Sequence, residues 1–133
     1  QATGTELAMV VTGDGGLDEL SITGTNIVHT VTTETIVTSE VTPEDIGIRR
    51  VSQKEIKGGD AKANAMIAKS VLGGAKGPKR EIIAFNAAAG LVVAGIADNL
   101  IEGLDRAYAS IDSGAASKSL QNLVTLTKEM SDQ

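Results

Sequence analysis

GDGGLDELSITG, residues 13–24, follows directly on the apolar run LAMVV, residues 7–11. Five consecutive apolar residues ended by a glycine-rich polar break read as a short strand buried on both faces, of the kind that parallel sheets contain. Open α/β sheets keep their ligands in the crevice beyond the carboxyl ends of such strands. The loop that starts there carries adjacent carboxylates, Asp18 and Glu19, beside Gly13, Gly15 and Gly16. Two hard oxygen donors on a pliant backbone suit Mg²⁺, which takes one or two carboxylates and fills its shell with water and substrate phosphates. An Asp-Glu step at a strand-to-strand turn is more often solvated surface, so the residues by themselves are a weak signal for metal.

The totals bound what that loop can belong to. A chain of 133 residues supports one domain with one core. Its residues are 41% hydrophobic, yet Phe85 and Tyr108 are the only aromatics, so the core is expected to be aliphatic and alanine-rich. Single-stranded nucleic acid wants aromatic platforms and a positive groove, and a formal net charge of −5 offers neither, which argues against a nucleic-acid partner. Without cysteine there is no disulfide, thiolate metal site or cysteine nucleophile, and a reducing compartment, the cytoplasm, is expected. No charged stretch precedes an apolar one at the amino end, so no signal peptide is read. The longest apolar run, 82–97, is interrupted by Asn86, Gly90 and Gly95 and falls short of the ~20 residues that span a bilayer. A buried helix is expected there, and no membrane partner. The run at 7–11 needs neighbours on both edges, so the chain is read as the carboxy-terminal portion of one α/β domain.

Outward from the loop, residues 20–23 alternate apolar and polar, the period of a half-buried strand. The segments 26–32 and 35–41, rich in Val, Ile and Thr, predict an antiparallel hairpin with a shallow buried face. Thr42-Pro43-Glu44-Asp45 predicts a capped helical turn closed by Gly47, and Ser52-Gln53-Lys54-Glu55 a second, through a capping box. Asp60 caps a predicted helix over about 61–72, ended by Gly73 and Gly74. Further helices are predicted over about 78–96, 99–112 and 115–130, the last burying Leu120, Leu123, Val124 and Met130. In the first of these the run Ala87-Ala88-Ala89-Gly90 leaves so little bulk that another element must approach closely. The fold class is α/β: strands and hairpin over 1–47, mainly helices over 48–133, as the end of a mainly parallel sheet domain with a helical tail.

Five stretches in order carry a family resemblance: VVTGDGGLDELSITG (10–24), TPEDIG (42–47), KGGDAKANA (57–65), GPKREIIAFNAAAGLVVAG (77–95) and IDSGAASKSLQNLV (111–124). With them the chain resembles the carboxy-terminal part of the anthranilate phosphoribosyltransferases, within the nucleoside phosphorylase-like transferases. Thr12 departs from the bulkier residue usual there. The resemblance implies transfer of phosphoribose from phosphoribosyl pyrophosphate to the amino nitrogen of anthranilate, in tryptophan biosynthesis. It implies that Asp18 and Glu19 help hold Mg²⁺ beside the diphosphate, where a metal neutralises charge as it develops. It also implies that the phosphate loop, the acceptor-binding arginine and the helical domain through which a homodimer forms lie upstream. No catalytic residue is therefore expected in this stretch, which alone is expected to be inactive. A family sibling acting on another acceptor and a non-catalytic binding member remain as alternatives; the latter would be expected to lose the acids.

Other patterns carry less. Gly58-Gly59-Asp60 copies the letters of a phosphate loop, but Asp60 puts a negative charge where an anion would sit, so it reads as a helix cap. Gly13-Asp14-Gly15-Gly16 lacks the strand–loop–helix setting of a dinucleotide fingerprint. His29 stands in the threonine-rich ribbon with no acidic or hydroxyl partner at a recognisable spacing, and reads as a surface strand residue. Asn86 reads as a satisfied hydrogen-bonding residue, and Lys76, Lys79 and Arg80 as a solvated charge cluster.

Overall fold

The computed structural model describes residues 2–131. Three strands, β1 (Leu7–Thr12), β2 (Asn26–Thr32) and β3 (Ile36–Val41), form an antiparallel sheet in that order, and five helices follow. These are α1 (Gln53–Ile56), α2 (Ala61–Leu72), α3 (Pro78–Val93), α4 (Leu100–Asp112) and α5 (Ala115–Ser131). The sheet is fixed in register by Val11 opposite Val28 and by His29 opposite Thr38. Val28 on β2 is buried, with Met9 and Val11 of β1 packed against the same core, so one face of the sheet closes on the helices.

β1 is not buried on both faces. It pairs only with β2 among the described residues, and Val10 on its outward face is 56% exposed. An apolar run tells how many residues avoid water, not whether both sheet faces are covered. The β2–β3 ribbon is shallow as its threonines suggested, with Ile36 and Val37 exposed near the turn. His29 does have a hydroxyl partner: its Nδ1 lies 2.8 Å from Thr38 Oγ1 across the ladder. Cross-strand register, invisible in local spacing, supplies it.

Residues 20–23 form no strand, although Leu20, Ser21 and Ile22 are essentially inaccessible. Buried backbone must be hydrogen-bonded, and here side chains do what a neighbouring strand would do. Asn26 Oδ1 accepts from the Ser21 N–H at 2.6 Å while its Nδ2 donates to Ser21 O at 3.0 Å and to Val41 O at 2.9 Å. Asn86 of α3 holds Leu20 in the same two-sided manner, and the Val51 N–H donates to Ile22 O.

The local signals place the helix starts well. Thr42 and Asp45 form a reciprocal cap over the turn at Pro43–Ile46, Asp60 Oδ1 accepts from the Ala63 N–H, and Asn99 Oδ1 accepts from the N–H groups of Ile101 and Glu102. At the core, α3 lays Ala84, Phe85 and Ala88 against Leu104, Ala107 and Ile111 of α4. Full burial of Phe85 alone contributes about 1.5–3 kcal/mol. The close approach foreseen from the alanine run occurs at Ala88, where Gly103 of α4 sits so near that an added Cβ would lie 2.8 Å from the Ala88 carbonyl oxygen. α5 departs from expectation: Leu123, Val124 and Met130 are exposed and Leu120 only half-buried. The helix meets the core through Ala116 near its start, and its apolar stripe beyond that point faces no described residue of the core.

Arg80 is not part of a solvated cluster. It is 4% exposed, grips Asp112 through two hydrogen bonds of 2.6 and 2.9 Å, and stacks on Tyr108 with its guanidinium carbon 4.8 Å from the ring centre. The Tyr108 hydroxyl donates to Glu81, and burial raises the Tyr108 pKa above that of an ordinary phenol. Hydrogen bonds from Arg80, and then from Lys76, hold the Asp112 carboxyl well below the usual carboxylate range. A carboxyl depressed by folding stabilises the fold above its unfolded pKa, and that contribution fades as pH falls through the folded value. The unfolding-temperature difference between wild type and Asp112→Asn is therefore expected to be constant from pH 7 to about 4.5 and to shrink only below the ordinary aspartate value of ~3.9. Thermal unfolding at stepped pH checks this; a gap that closes between pH 7 and 5 excludes the clamp as its source.

Candidate functional site

The loop after β1 doubles back on itself at once. The Gly13 N–H donates to Leu17 O at 2.8 Å and the Gly16 N–H to Gly13 O at 3.0 Å, with Gly15 and Gly16 both at positive φ. Asp14 turns inward, where its Oδ2 accepts from the Thr23 hydroxyl at 2.7 Å. It is thereby committed to the loop's own structure. Gly13 itself has an ordinary extended backbone, φ −76° and ψ 162°, so its conformation does not demand glycine. Space does: a Cβ there would stand 2.2 Å from the Glu19 carbonyl oxygen.

This folding leaves Asp18 and Glu19 outermost and exposed. Neither takes part in a side-chain hydrogen bond or ion pair among the described residues, in contrast to Glu44, Glu55, Glu102 and Asp112, which are all paired with basic side chains. Glu19 lines a cleft of about 510 Å³ together with Leu17, Lys54, Ile56 and Lys57. Asp18, although its neighbour in sequence, is not among the residues lining that cleft. The structure thus brings Glu19 to a concave surface and leaves Asp18 exposed outside its lining.

Among the described residues no three of His, Cys, Asp and Glu converge on a common centre. Two carboxylates without competing partners still fit Mg²⁺, which dehydrates reluctantly and usually keeps several waters, but they are too few for the oxygen cage of Ca²⁺. The positioning groups lie further off in sequence. Asn86 accepts from the Leu20 N–H and donates to Leu20 O, each at 2.8 Å, and donates to Ile82 O at 3.0 Å. It ties the residue after Glu19 to the rigid α3. The Gly58-Gly59-Asp60 turn is occupied by its own capping contacts: Asn64 clamps Gly59 by two hydrogen bonds and Asp60 caps α2.

Residues 1–117 match the glycosyl transferase family, a/b domain. The chain belongs to that family. Within it, the chain is similar to the anthranilate phosphoribosyltransferase of Azorhizobium caulinodans, 42% identical over 133 residues, which are all of this chain and 39% of that protein. It is likewise similar to the enzyme of the same name from Geobacter sp. strain M21, 43% identical over 95% of this chain and 36% of the other. Among solved structures, anthranilate phosphoribosyltransferase from Thermus thermophilus superimposes with a TM-score of 0.80 at 33% identity, over 90% of this chain and 35% of that one. The Saccharomyces cerevisiae enzyme in complex with PRPP and Mg superimposes at 0.76 and 28% identity, over 85% of this chain and 33% of that one. The chain therefore spans under two fifths of the length of these relatives, and corresponds to their carboxy-terminal part.

Proposed function

We propose that the full-length protein is an anthranilate phosphoribosyltransferase and that this chain supplies the acidic loop beside the departing diphosphate. The observation that carries the reading is the 42% identity with such an enzyme along the whole chain, combined with two exposed acids at its first loop that have no side-chain partner among the described residues. In the reaction the bond from ribose C1 to the diphosphate oxygen breaks, the anthranilate nitrogen bonds to C1, and that nitrogen loses a proton. Mg²⁺, when bound, neutralises charge on the departing diphosphate. Asp18 and Glu19 would hold it. Gly13 and Asn86 would keep those acids in place, the first by letting the loop fold tightly, the second by fixing Leu20. Groups that activate the acceptor are not assigned to this chain. The proposed setting is cytoplasmic, and the proposed assembly is the homodimer that the family resemblance implies.

The test is turnover by the full-length protein with phosphoribosyl pyrophosphate and Mg²⁺. Phosphoribosyl anthranilate and diphosphate are expected in equal amounts, dependent on Mg²⁺. Turnover with a nucleobase in place of anthranilate identifies a sibling enzyme. No turnover with any acceptor in a folded protein identifies a binding member and overturns the reading.

A further inference from the structure

Two walls of the Glu19 cleft are hung from one helix. On the acidic side, Asn86 of α3 holds the backbone of Leu20, next to Glu19, through paired 2.8 Å hydrogen bonds. On the opposite side, the Lys79 ammonium, also of α3, donates to the backbone carbonyl of Lys57. Residues 79 and 86 are seven apart, two helical turns and ~10 Å along the same face of α3. The helix thus sets the spacing between the strip that bears Glu19 and the strip that bears Lys54 and Lys57. The second strip is fixed locally as well, since the Ser52 N–H and hydroxyl both donate to Glu55, which also pairs with Arg49.

Lining one cleft of about 510 Å³ are therefore one carboxylate and two lysines, together with the apolar Leu17 and Ile56. They do not neutralise each other, for no ion pair among the described residues joins Glu19 to either lysine. Lys76, Arg50, Arg80 and Arg106 are by contrast all committed to carboxylates. Opposite charges that line one cleft without pairing match a ligand that is itself divided in charge: a divalent cation at the carboxylate, with anionic oxygens extending toward the lysines.

Resting on the reading above, we propose that Lys54 and Lys57 form the cationic wall that binds the diphosphate oxygens remote from the Glu19-bound metal. Each ammonium donates to phosphoryl oxygens as a point charge on a flexible stem, a role that tolerates arginine. They are binding residues for the leaving group. Their effect is greatest on diphosphate affinity and on KM for the donor, and absent from KM for the acceptor.

The experiment titrates inorganic pyrophosphate with Mg²⁺ into the full-length protein by calorimetry, for wild type, Lys54→Ala/Lys57→Ala, Lys54→Arg/Lys57→Arg, and the exposed control Lys62→Ala on α2. Losing two charge-assisted contacts is expected to weaken pyrophosphate binding by roughly tenfold or more. The arginine pair is expected to keep it within a few-fold, and Lys62→Ala to leave it unchanged. In the transferase assay, donor KM should rise more than kcat falls. Equal pyrophosphate affinity in the alanine pair and wild type overturns the proposal, as does the absence of pyrophosphate binding in wild type. If turnover with anthranilate is intact and only the lysine effect is missing, the wall is refuted and the enzyme reading stands. Lysine-dependent pyrophosphate binding without anthranilate turnover refutes the acceptor instead, and supports the wall.

Discussion

Asp18→Asn combined with Glu19→Gln is expected to lower Mg²⁺-dependent turnover of the full-length protein by about 10²–10³-fold, the range seen when a group that stabilises developing charge is removed. The substitutions keep shape and remove only charge. Because both side chains are exposed and make no hydrogen bond or ion pair among the described residues, the fold has nothing to lose with them. The unfolding temperature should therefore stay within the usual scatter of surface changes, about ±0.5 kcal/mol in stability. The structure also separates the two acids: Glu19 borders the cleft and Asp18 does not. Glu19→Gln alone is accordingly expected to carry the larger part of the loss, and raising Mg²⁺ should restore part of the Asp18→Asn activity. Steady-state rates over a Mg²⁺ series check all three points. Unchanged kinetics in the double variant would remove both acids from the metal assignment, whatever the kinship of the chain.

How much of this was legible in the sequence depends on how far apart the interacting groups lie. Asp60 and Thr42 act within three residues of themselves, and their caps could be read from letters alone. The segment 20–23 could not. Its alternation is that of a strand, but Asn26 and Asn86 satisfy its backbone, and neither substitution of side chain for strand leaves a trace in periodicity. The acids of the site were visible because they are adjacent and because the stretch around them resembles a known family. The lysines of the cleft were not, since more than thirty residues separate them from Glu19 and the two strips meet only through tertiary contacts, the Lys79 bond to Lys57 and the Val51 bond to Ile22 among them. Arg80 reads as surface by composition; a bidentate carboxylate from α4 is what offsets the cost of its burial. The outer half of α5 fails for the opposite reason: an apolar stripe announces that something should cover it, without saying that the cover belongs to this stretch of chain.

Gly13→Ala is expected to couple stability and activity in a way the acid substitutions do not. Alanine is fully allowed at φ −76° and ψ 162°, so backbone preference predicts a neutral or slightly stabilising change through the unfolded chain. Packing predicts the reverse. The new methyl would fall 2.2 Å from the Glu19 carbonyl oxygen, far inside contact distance, and 3.1 to 3.2 Å from the Cβ atoms of Leu17 and Ser21. The obstacle is backbone and cannot rotate away. Asn26 and Asn86 pin the next residues, Ser21 and Leu20, from two sides, so the loop cannot yield by sliding. Steric cost therefore outweighs the entropic gain, and a net loss of about 1–3 kcal/mol is expected. The relief available is displacement of the Glu19 peptide, which moves the carboxylate relative to Lys54 and Lys57. Denaturant unfolding should thus show lower stability together with a drop in Mg²⁺-dependent turnover that added Mg²⁺ does not restore. Gly15→Ala is the comparison that separates the causes: its φ is +74°, but an added Cβ there meets nothing within 4 Å. It should cost stability through strain at positive φ while leaving the Glu19 peptide, and hence turnover, much closer to wild type. Equal loss of turnover in both variants would mean that loop strain in general, and not the contact at Glu19, governs the site.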